Sequence, residues 1–505
     1  MARNSEDNDA ETHYEVDTEE KSVLTCYAAW SAIFVALAGT WPYGFSIGSI
    51  NSIYFVMKTV IQDQYEERWN ETVSTTVVDA VWVASSAAFP VGGIFGSLLV
   101  GPIVRRYGRL NGIFLGHICT ILFTLLLSLS GIFKSPEIMI LSRFGIGITS
   151  GAIGLGISVM YTTEVSPQKY RGVFGSMVSA GIALSLLFSN ILGLSQIFGN
   201  ETLWPLLFAF TALPSIVLVL TKKTIAQSPR QLYMDEEEKE KAVELLQKLH
   251  GVDDVAHLIG DMDQEKRDAG AIQQMSVKEV LLSKSLHRPL LAAIVLTTGQ
   301  QLTGLNGVAF NMNAIYLKSG IHENYVQYVS IGTYAMIITI TVLGAYLTER
   351  RGRKFLLILG YSIIGASLLL LTISIETYEF NDKMAYVSVA ASLGFWTGFS
   401  LGPGPVTLVA VGEFFDQSAR SSALTISVAL LWISFAITVV ITPYLLAAIG
   451  GYTFLPFSFM AIMTAIFIKI CIPETKNMAF RQMRRSFNRR SKKYRRESQS
   501  RTDDL

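Results

Sequence analysis

The chain has 505 residues, of which 50% are hydrophobic and only 16% are charged. Soluble domains usually carry charge on roughly a quarter of their residues, so this composition excludes an ordinary soluble protein. The 41 basic and 40 acidic side chains nearly cancel, and we expect no nucleic-acid partner.

Apolar runs long enough to cross a bilayer recur along the whole chain. They predict an all-α membrane protein with twelve transmembrane helices. The predicted spans are 24–52, 80–101, 111–133, 138–161, 172–198, 203–221, 287–317, 324–347, 355–375, 385–412, 421–446 and 452–472. Because the chain opens on polar and acidic residues, we predict no cleavable signal.

Basic residues mark alternate loops between the predicted spans. They gather in "VRRYGR" (104–109), in "TERRGR" (348–353) and in the final segment, 473–505. Because basic loops stay in the cytosol, we predict that both termini are cytosolic. The glycosylation sequons at Asn70 and Asn200 then both face outward, where glycans are attached.

Several features of the first half of the chain return in the second. "VRRYGR" returns as "TERRGR", Glu164 with Arg171 returns as Glu413 with Arg420, and "SPR" returns as "PET" after the last span. Such repeats indicate a duplicated transporter built from two six-helix halves. The chain therefore divides into an acidic N-terminus, a first half, a cytosolic helical linker, a second half and a basic tail: 1–23, 24–221, 222–286, 287–472 and 473–505.

Carboxylates lie beside arginines at the helix ends of the predicted cytosolic face. We predict that these ions pair between helices when that side closes, and that Glu413 pairs with Arg420. Alternatively, the basic residues only mark orientation. The predicted gate residues are Arg106, Arg109, Arg143, Glu164, Arg171, Glu349, Arg350, Arg353, Glu413, Arg420 and Glu474.

The linker contains "DEEEKEKAVELLQKLHG", which predicts an amphipathic helix ending at Gly251. We predict that it caps the cytosolic face, with a calmodulin-type target as the alternative. The basic tail, with "RRSFNRRSKKYRR", is suited to anionic lipid and to control by serine phosphorylation. A solvated tail that only anchors the topology is the other interpretation.

No arrangement of residues in the spans predicts enzymatic chemistry. Cys26, Cys119 and Cys471 lie in or beside apolar spans and are interpreted as small buried hydrophobes. His117 is the lone histidine deep in a span, where a structural role is usual. We therefore expect no metal, no cofactor and no enzyme.

The seventh span contains an unusually polar stretch, "GQQLTGLNGVAFNMN", from Gly299 to Asn313. Each amide there needs a hydrogen-bond partner, and lipid offers none. Amides supply both donors and acceptors, which suits a hydroxylated solute. The stretch therefore predicts a binding cavity, although polar residues in such helices can also join helix to helix.

Motifs along nearly the whole chain resemble those of animal facilitative glucose transporters, in the sugar porter branch of the major facilitator superfamily. They are "YGFSIGSIN", "RRYGR", "SRFGIGITSG", "YTTEVSPQKYRG", "SPR", "GQQLTGLNG", "ERRGRK", "GPGP", "GEFF" and "PETK". The resemblance implies the major facilitator fold and transport of a small solute across the plasma membrane. It also implies that the seventh helix binds sugar hydroxyls, and the candidate contacts are Gln300, Gln301, Thr303, Asn306, Asn311, Trp396 and Trp432.

Other positions depart from the glucose-carrier pattern. Polar or aromatic sugar contacts of the family are replaced by Ser179, Ile337, Ser400, Leu408 and Leu431. The aromatic gate residues of the family are also replaced, and Phe310, Asn311 and Asn313 lie in their region. Each buried hydroxyl left unpaired costs about 1–3 kcal/mol. D-glucose is therefore not established as the solute.

Three functions remain open at this point. The first is facilitated transport of a sugar by alternating access, the second is transport of another solute such as urate or a polyol, and the third is nutrient sensing without flux. Proton-driven relatives carry an aspartate in a Gly-Tyr-Asp context of the first helix, where this chain has Gly44-Phe45-Ser46. Since serine does not exchange a proton near neutral pH, we predict a uniporter.

Overall fold

The computed structural model describes residues 24–70, 72–167, 170–271 and 275–475, and all regular structure within these ranges is helical. The α-helices are α1 Cys26–Ser52, α2 Tyr54–Trp69, α3 Thr75–Ile132, α4 Pro136–Thr149, α5 Ser158–Val165, α6 Arg171–Leu192, α7 Trp204–Ala209, α8 Leu213–Leu220, α9 Pro229–Met234, α10 Lys239–His250, α11 Ala256–Ala271, α12 Val277–Leu282, α13 His287–Leu302, α14 Leu305–Phe310, α15 Met312–Lys318, α16 Glu323–Arg351, α17 Arg353–Thr377, α18 Met384–Leu401, α19 Pro403–Glu413, α20 Gln417–Ile449 and α21 Phe454–Cys471. A π-helical segment, Ser150–Ile157, joins α4 to α5, and short 3-10 turns join several other helices.

The apolar runs of the sequence form long helices. Among the described residues, seven continuous helical stretches are long and apolar enough to cross a membrane, and two of these, Thr75–Ile132 and Gln417–Cys471, each contain two predicted spans. Large apolar side chains such as Leu122 and Phe459 point outward, with 59% and 61% of their surface exposed. A lipid bilayer covers such side chains at no hydrophobic cost.

The second and third predicted spans are not separated by a loop. Helical residues lie on both sides of "VRRYGR", and two helices meet at Gly108, whose φ of 75° and ψ of −177° leave the helical region. Only glycine adopts this backbone conformation without strain. The sequence therefore predicts correctly where the chain changes direction between the second and third spans. It does not predict that the turn is made at a single glycine, with helical residues on both sides.

Two faces of the bundle are distinguished by the residues that they carry. The basic face is the end of the bundle that carries Arg106 and Arg350, and the sequon face is the end that carries Asn70 and Asn200. The helices α1 and α6 contact along small residues, since a Cβ on Gly44 would lie 2.1 Å from the Ser185 hydroxyl oxygen. Small residues let membrane helices approach this closely.

The two halves touch most extensively along two helix pairs. α3 packs on α20 and α6 packs on α16, so each contact joins one helix of the first half to one of the second. These four helices therefore border the space between the halves. The polar break of the seventh span also lies against this space, because α13 and α14 pack on α20, and α14 packs on α1.

The linker forms the predicted amphipathic helix. α10 runs from Lys239 to His250 and ends at Gly251, which has the left-handed φ of 64° that favours glycine at a helix end. Leu246 and Leu249 are buried. The Thr25 hydroxyl donates to the Leu249 carbonyl at 2.9 Å, so α10 is tied to the start of α1.

The two sequons differ in how their asparagines are held. Asn70 is exposed at the left-handed end of α2, with φ 51°. Asn200 is half-buried: its Oδ1 accepts from the Leu203 amide at 2.8 Å, and its Nδ2 donates to the Ser195 carbonyl at 3.4 Å. A glycan is attached to Nδ2, so this atom is freely available only at Asn70.

We therefore expect a glycan on Asn70 and little on Asn200. In protein expressed in a eukaryotic cell, a glycosidase should shift the mobility of the wild type and of Asn200→Gln. It should not shift Asn70→Gln. A shift that persists in Asn70→Gln and disappears in Asn200→Gln would contradict this assignment.

Candidate solute-binding site

The polar stretch of the seventh span lies at a break in the helix. α13 ends at Leu302, and Gly304, with φ 79°, turns the chain before α14 begins at Leu305. A Cβ on Gly304 would lie 2.6 Å from the Phe457 ring, so no other residue fits there without displacing that ring. The break carries Gln300, Gln301 and Asn306, all at least 93% buried, and so places three amides in the protein interior.

These three amides are not equivalent. The Asn306 amide donates to Gln301 Oε1 at 2.6 Å, and the Tyr43 hydroxyl lies within hydrogen-bond reach of Asn306. Gln300 Oε1 is buried and has no partner among the described residues. Gln300 therefore presents the freer amide, whereas Gln301 and Asn306 orient each other. The geometry therefore favours Gln300 as at least the equal of Gln301 among the predicted contacts.

Further unpaired polar atoms lie on α20, which packs on α13 and α14, and on α18 of the same half. The indole N–H groups of Trp396 and Trp432 and the Ser400 hydroxyl are buried and have no hydrogen-bond partner within the described chain. Buried polar groups in proteins are nearly always paired. Two donors, one acceptor and one hydroxyl left unpaired fit a polar ligand with hydroxyl groups.

An aromatic cluster lies beside these groups. It contains Tyr43, Phe89, Phe310, Trp432 and Phe435, with ring centroids between 5.6 and 6.2 Å apart. Tyr43 and Phe89 come from the first half, and the other three come from the second. The cluster therefore joins the two halves and gives the candidate site an apolar wall.

Two of the predicted contacts are turned toward their own backbone. The Thr303 hydroxyl donates to the Gln300 carbonyl at 2.8 Å, and the Asn311 amide donates to the Gly307 carbonyl at 2.9 Å. Both side chains satisfy carbonyl groups freed by the broken helix. Thr303 and Asn311 thus stabilise the break. Their side-chain oxygens can still accept a hydrogen bond from a ligand.

The halves are also hydrogen-bonded on the sequon face of the break. The Asn313 amide donates to the Asn51 carbonyl at 2.9 Å, and Asn51 Oδ1 accepts from the Asn313 backbone N–H at 3.0 Å. Ser330 donates to Asn313 at 2.6 Å, and Gln327 donates to the Ser52 carbonyl at 3.2 Å. The Asn51–Asn313 and Gln327–Ser52 bonds therefore join the two halves on the sequon side. Asn51 was not a predicted functional residue, because nothing in a single sequence pairs it with a residue so distant along the chain.

Two groups of ions lie on the basic face, one in each half. In the first half, Arg109 pairs with Glu164 at 3.3 Å and with Asp235, and the Ser228 hydroxyl donates to Glu164 at 2.5 Å. In the second half, Arg353 pairs with Glu413 at 3.2 Å, and its backbone N–H donates to Glu474 at 2.9 Å. The repeated residues of the sequence therefore form the same pair twice, each time within one half.

The structure differs from two of the expectations for the gate. Glu413 pairs with Arg353, because the bend at Gly352 brings the start of α17 to the end of α19; Arg420 instead donates to the Phe415 carbonyl at 3.3 Å. Arg143 lies in the interior of the first half, away from the other gate residues, and donates to backbone carbonyls.

Four further gate residues either face the surface or have side chains outside the described residues. Arg106 and Arg350 are exposed and stack on Tyr107 and Tyr346, at 5.6 and 4.7 Å. The side chains of Arg171 and Glu349 lie outside the described part of the structure, and so does the basic tail from residue 476. No described contact therefore bears on the roles predicted for these two side chains or for that tail.

The positions that depart from the glucose-carrier pattern are partly or wholly buried. Ile337, Ser400 and Leu431 are at most 4% exposed, whereas Ser179 and Leu408 are half-buried. At Ile337 and Leu431 an aliphatic side chain fills the position and offers no hydrogen bond. Among the predicted solute contacts and the departing positions, the unpaired polar atoms belong to Gln300 on α13, Trp396 and Ser400 on α18, and Trp432 on α20.

Comparisons with known proteins are consistent with this geometry. The family model described as "Sugar (and other) transporter" matches residues 31–487. Among similar proteins, facilitated glucose transporter member 5 of Bos taurus is 32% identical over 469 residues, covering 93% of each chain. Facilitated glucose transporter member 7 of Mus musculus is 31% identical over 480 residues, covering 95% of this chain and 92% of the relative.

Solved structures show the same fold. The proton:xylose symporter XylE, of the major facilitator superfamily, bound to 6-bromo-6-deoxy-D-glucose, superposes with a TM-score of 0.74 at 20% identity. The match covers 91% of this chain and 98% of the symporter. The chain therefore has the major facilitator fold with its twelve transmembrane helices.

Proposed function

The chain belongs to the sugar transporter family, and from that membership we propose that it carries a hexose or a closely related solute down its gradient as a uniporter. It is a transporter and not an enzyme. The observation that supports the solute class best is the set of unpaired atoms around the helix break: Gln300 Oε1, the indole N–H groups of Trp396 and Trp432, and the Ser400 hydroxyl. These atoms can bond several hydroxyl groups of one ring.

We propose that the solute lies between the halves, against Gln300, Gln301 and Asn306, with the aromatic cluster as its apolar wall. Trp396 and Trp432 donate to its oxygens. Thr303 and Asn311 hold the backbone of the break in place. The aliphatic side chains of Ile337 and Leu431 cannot form the hydrogen bonds that the family's polar residues make at these positions. A hexose in this site therefore makes fewer hydrogen bonds than it does in a typical glucose carrier.

We propose alternating access as the mechanism, in the plasma membrane and with both termini in the cytosol. The Asn51–Asn313 contacts close the sequon face, and they separate when the solute enters from that side. The pairs Arg109–Glu164 and Arg353–Glu413 lie within the halves, so each holds the helices of its half together while the halves rock.

Transport is tested by uptake of radiolabelled hexoses into proteoliposomes that contain the purified protein. We expect saturable uptake that stops at equal concentrations, and faster uptake when unlabelled hexose is present inside. Ligand binding without flux would instead identify a sensor. Uptake of urate or a polyol alone would support the other solute classes considered from the sequence, which the similar proteins do not favour.

We further predict that uptake is not coupled to protons. Ser46 occupies the position where proton-driven relatives carry aspartate, and a hydroxyl does not exchange a proton near neutral pH. Uptake should therefore leave the external pH unchanged and should not respond to an imposed proton gradient. Alkalinisation of the external medium in step with uptake would contradict uniport. The matched variant is Ser46→Asp, in which the same assay tests whether an aspartate introduces coupling of uptake to protons.

A further inference from the structure

Arg143 places a positive charge deep inside the first half. It lies on α4 and is 1% exposed. Its Nε donates to the Ser85 carbonyl at 2.8 Å, its Nη1 donates to the Ser46 carbonyl at 3.3 Å, and its guanidinium lies 5.6 Å from the centre of the Phe89 ring. The group is thus held by α1 and α3 from two sides.

None of these contacts neutralises the charge. Both hydrogen-bond acceptors are backbone carbonyls, and Arg143 forms no ion pair with a carboxylate in the described ranges. Its Nη2 is buried and has no hydrogen-bond partner there. Arginine stays protonated in proteins, and an uncompensated charge inside a membrane protein is costly. The guanidinium therefore has both an unused donor and an unbalanced charge.

Unpaired hydroxyl groups belong to the same region of α3. Ser85, whose carbonyl binds Arg143, and the adjacent Ser86 are both at least 95% buried, and neither hydroxyl has a partner in the described structure. A hydroxyl donates to an anion as readily as to a neutral oxygen. Charge and donors of this kind are what a small anion requires, and hydrogen bonds to charged groups are the stronger ones.

We propose that Arg143, with the hydroxyls of Ser85 and Ser86, forms a binding site for one monovalent anion. The anion accepts from Arg143 Nη2 and balances the guanidinium. It has two possible sources, a dissolved halide or the carboxylate of a sugar acid held in the neighbouring solute site. That neighbourhood follows from Phe89, which stacks over Arg143 and also belongs to the aromatic cluster, 5.9 Å from Trp432.

The site is tested by thermal unfolding of the purified full-length protein. Chloride replaces methanesulfonate at constant ionic strength, because a ligand that binds the folded state raises the unfolding midpoint with its concentration. We expect chloride to raise the midpoint of the wild type. In Arg143→Gln the half-saturating chloride concentration should rise at least about tenfold, since a charge-assisted bond is lost.

The control is Arg106→Gln, which removes the same charge from an exposed position. Its chloride response should match that of the wild type. An undiminished response in Arg143→Gln would overturn the proposal. If Arg143→Gln does not fold, the Ser85→Ala/Ser86→Ala variant decides: a weaker response supports the site, and an unchanged response overturns it.

A second titration, with D-glucuronate and D-glucose, separates the two sources. If the carboxylate of a solute is the anion, D-glucuronate raises the midpoint where chloride does not. Arg143→Gln then removes the D-glucuronate effect and keeps the D-glucose effect. No response of the wild type to either anion would also overturn the proposal. Because these titrations measure binding without transport, their failure would leave the proposed hexose uptake untouched.

Discussion

Replacing Gln300 by leucine is expected to weaken solute affinity about ten- to a hundredfold while leaving the folded protein intact. Leucine keeps most of the volume and removes a donor and an acceptor from the helix break. Losing such bonds to a buried polar ligand costs about 1–3 kcal/mol. Because Gln300 Oε1 bonds no described residue, its removal leaves no donor of the protein unpaired.

Gln301→Leu should lower affinity by a similar factor and also lower stability. Gln301 Oε1 accepts from the Asn306 amide, so the variant leaves a buried amide without its partner. The measurement is the concentration dependence of hexose uptake, with surface expression measured in parallel. Gln196→Leu is the matched control, since Gln196 makes one exposed contact with Tyr328 on the sequon face. If both leucine variants keep wild-type affinity while Gln301→Leu loses expression, the glutamines only join helices.

The number and order of the spans could be predicted because length and hydropathy decide them locally. Twelve apolar runs predict twelve spans. In the same way, Gly251 marks the end of the linker helix α10. The boundary at Gly108 could not be predicted in the same way. A chain that turns through one glycine and a chain that turns through a loop have the same polar sequence, and only the backbone angles distinguish them.

The candidate site was predictable in its members but not in its pairings. Amides within an apolar run indicate a polar interior, so Gln300, Gln301 and Asn306 were identified from the sequence. Which of them bonds another depends on the break at Gly304, which brings Gln301 to Asn306 and leaves Gln300 Oε1 unpaired. The arginines and carboxylates of the basic face were predictable for a different reason, namely that each recurs in the second half of the chain.

Contacts between the halves were outside the reach of a single sequence. Asn51 and Asn313 meet only because the two halves close on each other at the sequon face. Within the second half, Glu413 is predicted to pair with Arg420, yet the fold brings Arg353 to it instead. In both cases the distance between the two residues is set by helix packing. No local sequence pattern indicates that either pair lies in contact.

Gly93→Ala is expected to reduce transport at least about tenfold, because the Trp432 ring packs directly against Gly93. A Cβ at Gly93 would lie 2.2 Å from the Trp432 ring, far inside contact distance. Trp432 is completely buried and touches Tyr43, Phe89 and Phe435. The added methyl group must therefore displace the indole that both joins the halves and donates to the proposed solute, and such overpacking costs about 1–3 kcal/mol.

Three variants separate this cause from a general effect of alanine. Gly332→Ala is the matched control, since a Cβ on Gly332, also within a long helix, would meet no atom within 4 Å. It should transport like the wild type. Adding Trp432→Phe to Gly93→Ala supplies a smaller ring and should recover expression, but not affinity, because phenylalanine has no N–H to donate. Uptake kinetics and surface expression distinguish these outcomes. Equal transport by Gly93→Ala and Gly332→Ala would show that Trp432 has room to move and that its contact with Gly93 does not hold the halves in their working arrangement.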